Sequence, residues 1–267
     1  MESFRFPPDA EFLHIWFPHI ANADEAVLMY RDEVWLIDCG DERNARDSLK
    51  LLKGLGITQI DKLFNTHPHH DHLNGLPFIG DVVHIKELHV CFPLDVNKTM
   101  ISAVGYAREK HIPVRLFNNG ESFSMGDGKV ILKFFYNEYD GDPNHMNDDS
   151  AQTLLKYGER RMLFCSDMDR RGQSEILDSV SPANLRADII RYPHHGKNAL
   201  VQAFFEAVNP SVAVITNHIT DWGSTDFLAW RKVPVFYTST EKDYVHIYTD
   251  GKTWVIEYVP FDSLPGE

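Results

Sequence analysis

The sequence predicts an α+β domain of two packed sheets with helices on the outside. Three observations point there. Short apolar runs such as VWLID (34–38) and RMLFC (161–165) recur through both halves of the chain. Stretches with helical spacing, ARDSLKLLKGLG (45–56) among them, fall between those runs. No low-complexity segment, repeat or Pro/Gly/Ser-rich linker interrupts the 267 residues, so 1–267 reads as a single domain.

In order, 11–17 and the EAVLMY–RDE–VWLIDCG stretch (25–40) read as strands, the latter a pair joined by a tight polar turn. A helix follows over 45–56, ending in the glycines expected beyond a helix C-terminus. ITQIDKLFNTH (57–67) is then one strand running into a histidine cluster. A short helix at 73–79, a strand at 83–91 and a helix at 97–110 come next. Strands at 114–117 and 129–136 lead to the polar loop NEYDGDPNHMNDD (137–149) and a hairpin over 150–167. The remainder alternates: a helix at 171–180, the strand ADIIRY (187–192), a helix at 199–208, the strands VAVITN (212–217) and VPVFYTS (233–239), and a last hairpin at 244–258.

Thirty-nine acidic against 26 basic residues give a net charge of −13. That charge repels phosphate backbones and anionic lipid, which argues against long nucleic acid or a membrane surface as partner and leaves a small or short anionic substrate open. Cys39, Cys91 and Cys165 form no CxxC pair, as expected in a reducing compartment. Glu2, Arg5, Asp9 and Glu11 precede a first apolar run too short for a signal peptide or a span, so the chain reads as cytoplasmic.

Four of the chain's 14 histidines stand in the six positions HPHHDH, 67–72. His67 and His69 lie two apart at a strand end, where extended backbone turns both side chains the same way. Asp71 and His72 follow at the mouth of the next helix. Two ligand sets would then sit a few ångströms apart, as two-metal sites require. Pro68 stiffens the loop. Ser150 and Ser166 lie in no G-x-S-x-G elbow, and GDGK (126–129) lacks the residues of a phosphate-binding loop.

The H-x-H-x-D-H pattern resembles the metallo-β-lactamase superfamily, and the rest of the chain matches in order. VWLIDCG is similar to the family's early strand ending in Asp-x-Gly, RMLFCSD (161–167) to the strand ending in the bridging aspartate, and RYPHHG (191–196) to the late histidine motif. The resemblance implies a four-layer αβ/βα sandwich of two mixed sheets with outer helices. It implies a dinuclear site as well. His67 and His69 would hold one divalent ion, and Asp71, His72 and His195 the other, with Asp167 between them. The ions would be zinc, with manganese or iron as alternatives. Asp38 would orient loops and ligands from behind. His194 would face substrate, its role and that of His195 being open to exchange.

Where most members supply a third histidine, this chain has NHMNDDSAQTLL (144–155), which resembles the hydrolase domain of bacterial competence (DNA-uptake) proteins. On that analogy Asp149 or Asp148 completes the first site, with His145 the further candidate. The competence proteins' Asn-x-Tyr-x-His-Pro stretch is replaced here by NHITDWGSTDF (217–227). The resemblance implies a metallo-hydrolase acting on a phosphodiester, with Asp71 or His194 passing a proton to the leaving group. The alternatives are an ester, lactone or amide hydrolase of the same fold, or a metal-bound sensor without turnover.

Overall fold

The computed structural model describes residues 11–220, 223–240 and 243–264. Glu2, Arg5, Asp9, the outer ends of the 1–267 domain and Asp221 and Trp222 of the NHITDWGSTDF stretch lie outside the described residues.

The first half runs β1 (Leu13–Phe17), β2 (Ala26–Tyr30), β3 (Glu33–Ile37), α1 (Ala45–Gly54), β4 (Gln59–Ile60), β5 (Lys62–Asn65), α2 (His70–Leu73), α3 (Leu76–Gly80), β6 (His84–Ile85), β7 (Leu88–Val90), α4 (Lys98–Glu109) and β8 (Val114–Leu116). The second runs β9 (Ser122–Met125), β10 (Val130–Phe135), β11 (Gln152–Tyr157), β12 (Arg160–Phe164), α5 (Arg170–Ser179), α6 (Pro182–Leu185), β13 (Ile189–Arg191), α7 (Gln202–Val208), β14 (Val212–Ile215), α8 (Asp226–Trp230), β15 (Val235–Tyr237), β16 (Asp243–Thr249) and β17 (Trp254–Pro260).

Two mixed sheets result, ordered β17-β16-β1-β2-β3-β5-β7-β8 and β15-β14-β13-β12-β11-β10-β9. Strand alternation fills the space between them. On β10, Val130, Leu132 and Phe134 enter the central core with Leu28, Phe64 and Leu155, while Phe135 turns to the opposite face. A second core packs α1, α3 and α4 on the first sheet through Leu51, Leu52, Ile79 and Met100. A third packs α5, α7 and α8 on the second through Ile176, Phe204 and Leu228. These layers are the four-layer αβ/βα sandwich expected from the sequence. No helix among the described residues is long and apolar enough to cross a membrane.

The structure divides two strands that the sequence reads as continuous. Asp61 both donates its backbone N–H to Val34 O (2.8 Å) and accepts Val34 N–H on Oδ2 (2.9 Å), which turns the chain between β4 and β5. β4 then pairs with β6 in a small separate ribbon, and 83–91 is divided in the same way. The 73–79 helix is two helices, α2 and α3. Strand β9 and helices α6 and α8 have no counterpart in the sequence reading. The C-terminal hairpin β16–β17 crosses back to pair with β1, so the second half of the chain completes the first sheet.

Parallel pairing decides where chemistry is placed. β3 and β5 run parallel in one sheet, and β12, β13 and β14 in the other. The loops leaving their C-terminal ends carry Asp38, Thr66–His72, Ser166–Asp167, His194–His195 and Thr216. Ligand sites in open α/β sheets form outside such strand ends. Gly75 lets the first of these loops close: its N–H bonds Gly40 O (3.0 Å), and a Cβ there would lie 1.8 Å from Cys39 O. Gly75→Ala is expected to destabilise the fold by at least about 3 kcal/mol, measured by urea unfolding, because backbone rather than a flexible side chain must move.

Candidate metal centre

Asp38 organises the strand ends. It follows β3 with φ +57°, and its carboxylate is buried. Oδ1 accepts Thr66 N–H (2.8 Å) and Asn65 Nδ2 (3.0 Å); Oδ2 accepts Thr66 Oγ1 (2.7 Å) and His72 Nδ1 (2.7 Å). Burial raises the Asp38 carboxyl and the His72 partner opposes it. With Nδ1 held, the His72 ring directs Nε2 toward Asp167.

The four residues expected to surround the second ion, Asp71, His72, Asp167 and His195, converge with ligand atoms all within 4.8 Å of one another. His72 Nε2 lies 3.2 Å from Asp167 Oδ1, and His195 Nε2 lies 3.4 Å from both Asp167 Oδ2 and Asp71 Oδ2. Yet His72 Nε2, His195 Nε2 and Asp167 Oδ1 are buried without a hydrogen-bond partner. Buried polar atoms are nearly always bonded, so three that point at a common centre instead fit a cation's donor set. Burial pulls the His72 imidazole down, but Asp167 and Asp38 outweigh it and hold it well above the usual range. Burial likewise pushes Asp167 up, and His195 and His72 carry it well below the carboxylate range.

Backbone strain gathers at the same place. Asp38, Ser166, His194 and His195 all have positive φ, +57°, +47°, +50° and +53°. Left-handed conformation costs an L-residue on the order of 1–2 kcal/mol. Surrounding structure must impose it, as is common at functional sites.

His67 and His69 approach each other, Nε2 to Nδ1, at 3.0 Å, and the His67 and His72 rings are 4.1 Å apart. Among the described contacts, those of the residues considered for completing this pair run to other partners. Asp148 accepts Gly172 N–H (2.7 Å) at the start of α5, and His145 pairs with Asp140 (2.7 Å). Asp149 meets Arg171 Nη2 at 3.4 Å, its Oδ2 buried without a partner; burial pushes its carboxyl up to about 6.

His194 sits at the mouth, its side chain 19% exposed, with Nδ1 bonded to Asp169 Oδ1 (2.9 Å) and Nε2 3.7 Å from Asp167 Oδ2. Asn198 donates to the same Asp169 oxygen. His195 is fully buried. The pair therefore divides into one solvent-facing and one inward ring, because consecutive left-handed residues turn the chain between them.

Sequence reading missed Asp24, Asp169, Arg191 and Thr216. Buried Arg191 pairs with Asp24 and donates to Ser166 O and Thr216 Oγ1 (2.7 Å). One signal was available: an arginine inside the apolar strand ADIIRY needs a buried partner. Asp24, on the β1–β2 loop, offered none.

A family model described as a beta-lactamase superfamily domain matches residues 35–210. ComE operon protein 3 of Bacillus subtilis (strain 168) is 25% identical over 176 residues, 63% of this chain and 21% of the relative. Ribonuclease Z of Thermosynechococcus vestitus is 28% identical over 253 residues, 79% of this chain and 59% of the relative. The chain thus spans only part of the length of either. Among solved structures, a mutant of the CmlA beta-hydroxylase matches with TM-score 0.57 and 14% identity, over 87% of this chain and 53% of that one. The metallo-beta-lactamase fold protein YhfI from Bacillus subtilis matches with TM-score 0.55 and 12% identity, over 85% of this chain and 95% of that one. At such identities the two structures attest the fold alone.

A cavity of about 10 Å³ is lined in part by Asp24, Glu25, Asp38 and Arg191. Burial pushes the Glu25 carboxyl up to about 7, against one opposing bond from Ser48 Oγ (2.6 Å). A folded value above the unfolded one favours folding most below about pH 4.5, and that contribution is lost as pH rises through about 7. From pH 4 to pH 8, the stability of Glu25→Gln relative to wild type should therefore rise by on the order of 3 kcal/mol, measured by urea unfolding at each pH. A gap that does not change with pH would show that Glu25 ionises at the same pH in the folded protein as in the unfolded chain.

Proposed function

The chain belongs to the beta-lactamase superfamily of metallo-β-lactamase-fold proteins, and on that premise we propose that it is a hydrolase with a dinuclear metal site acting on a short phosphodiester. The observation that carries the reading is the convergence of Asp71, His72, Asp167 and His195, with buried nitrogens and an oxygen left unbonded. Ribonuclease Z among the relatives supports the phosphodiester, and so does the likeness of NDDSAQ (147–152) to the competence proteins. The net charge of −13 favours a short substrate over long nucleic acid. The three free cysteines, Cys39, Cys91 and Cys165, support a reducing compartment.

In this reading His67 and His69 would hold one ion, with Asp149 as the further donor through its unpartnered Oδ2. Asp71, His72 and His195 would hold the other, and Asp167 would serve both. Zinc suits the imidazoles, while the carboxylates leave room for manganese or iron. When bound, the ions would supply activation of a water at neutral pH and Lewis-acid polarisation of the phosphoryl oxygen. The protein's own groups do the rest. Asp38 fixes the His72 ring, and Asp167 faces His72 through Oδ1 and His195 through Oδ2. Arg43, which interacts electrostatically with Asp71, is 67% exposed and its Nε is held by buried Asp41 Oδ2 (2.6 Å), a guanidinium held in place for an anionic substrate. His194, oriented by Asp169 through Nδ1, presents Nε2 to the leaving-group oxygen and passes it a proton.

Metal-replete protein should contain about two ions per chain and hydrolyse bis(p-nitrophenyl) phosphate faster than a lactone or a cephalosporin. Asp167→Asn should abolish most turnover while remaining folded. Elemental analysis without metal would overturn the centre. Turnover of the lactone alone would reassign the substrate to carboxylic esters, and no turnover of any of the three would favour a sensor.

His194→Ala should lower kcat by about 10²–10⁴ on esters with poor leaving groups and far less on p-nitrophenyl esters, which leave without protonation. Its metal content should be unchanged. An equal loss across a leaving-group series would remove His194 from the proton-transfer role.

A further inference from the structure

The three inward or rim histidines are anchored in different ways. His72 Nδ1 bonds a carboxylate, Asp38, and so does His194 Nδ1, on Asp169. His195 Nδ1 instead meets the Thr216 hydroxyl at 2.9 Å, beside Arg191 Nη2 at 3.0 Å. Thr216 Oγ1 in turn lies 2.9 Å from Asp24 Oδ1 and 2.7 Å from Arg191 Nη2. His195, Thr216, Arg191 and Asp24 are all buried, and come from β13, from the loops following β13 and β14, and from the β1–β2 loop.

One assignment of donors and acceptors satisfies every member and leaves His195 Nε2 free of its proton. A guanidinium only donates, so Arg191 Nη2 gives one hydrogen to Asp24 and the other to Thr216. Asp24, paired with that cation, accepts, so the single Thr216 proton goes to Asp24. The hydroxyl's remaining lone pair is then open to a donor, and the group facing it is His195 Nδ1. The competing arrangement, Nη2 donating to His195 Nδ1, moves the ring proton to Nε2 and points it at the converging atoms.

We propose that Thr216 is a positioning residue for His195: its hydroxyl, oriented by Asp24 and Arg191, accepts the Nδ1 proton and so leaves the Nε2 lone pair facing Asp71 and Asp167 as a metal ligand. The proposal rests on the metal-centre reading above. Arg191 has a second effect, since Nη1 lies 3.9 Å from Asp167 Oδ1 and places a permanent cation behind the shared carboxylate. The second ion is thus held by a ring whose tautomer depends on a neutral hydroxyl, where His72 depends on a carboxylate.

The test is zinc titration of the full chain against a chromophoric chelator. Thr216→Val keeps the shape and removes the hydroxyl. It should weaken one of the two zinc equivalents about 10–100-fold, the usual effect of losing a ligand's orienting partner, and leave the other within about twofold. Thr216→Ser should restore both. Should Thr216→Val not fold, long-range ¹H–¹⁵N spectra of zinc-loaded wild type decide the matter, with His195 assigned through His195→Gln. A proton on Nδ1 upholds the relay, and a proton on Nε2 overturns it. Wild-type protein that takes up no zinc overturns the metal-centre reading itself. Two wild-type equivalents retained at full affinity in Thr216→Val overturn the relay alone.

Discussion

The Asp38 carboxylate ties three segments together because it is buried and must be satisfied from every side. Two of its bonds come from Thr66 and one from Asn65 at the end of β5, and the fourth comes from His72 in α2. Removing it would leave the His72 ring without an orienting partner and Thr66 with an orphaned N–H. The positive φ at Asp38 is what aims the carboxylate across β3 toward β5. The bond set fixes the His72 ring, which faces Asp167, and Asp167 in turn faces both His195 and His194.

Charge is the second constraint. Asp24, Asp38, Asp71 and Asp167 are all buried within one small region. Such a concentration of carboxylates is stable only with compensating cations. Arg191 supplies one permanently, on the side away from the mouth. Asp24, Asp38 and His72 by themselves come close enough to hold an ion. Asp38 is already saturated with hydrogen bonds, however, and Asp24 already has a guanidinium against it. In the Asp71–His72–Asp167–His195 group, by contrast, His72 Nε2, His195 Nε2 and Asp167 Oδ1 are left without a hydrogen bond. That contrast is what makes the second group the better fit to a cation.

The two sheets contribute differently. The first sheet brings Asp38 and the histidine loop, and the second brings Asp167, His194, His195 and Thr216. The centre forms only where the two sets of strand ends meet. The loop bearing Asp24 bridges them, since Asp24 N–H bonds Asp71 O and Gly40 N–H bonds Asp24 O, while its side chain reaches Arg191 and Thr216. Strained backbone at Ser166, His194 and His195 is held by these long-range contacts, not by local propensity.

Much of this was legible in the chain itself. Apolar alternation locates the strands, and the HPHHDH cluster marks the centre, because strand periodicity and ligand spacing are local properties. Asp167 and the late histidines were legible through strand-terminal motifs. Other features depend on partners far apart in sequence. The division of 57–67 at Asp61 follows from pairing with Val34, and the return of β16–β17 to β1 is a pairing between opposite ends of the chain. The separation of His194 from His195 arises from two left-handed residues whose strain no local pattern announces. Asp149 beside Arg171, and Asp24 against Arg191 and Thr216, are likewise tertiary decisions. A lone aspartate on a loop carries no periodicity, and its role comes only from the cation and hydroxyl that folding places against it.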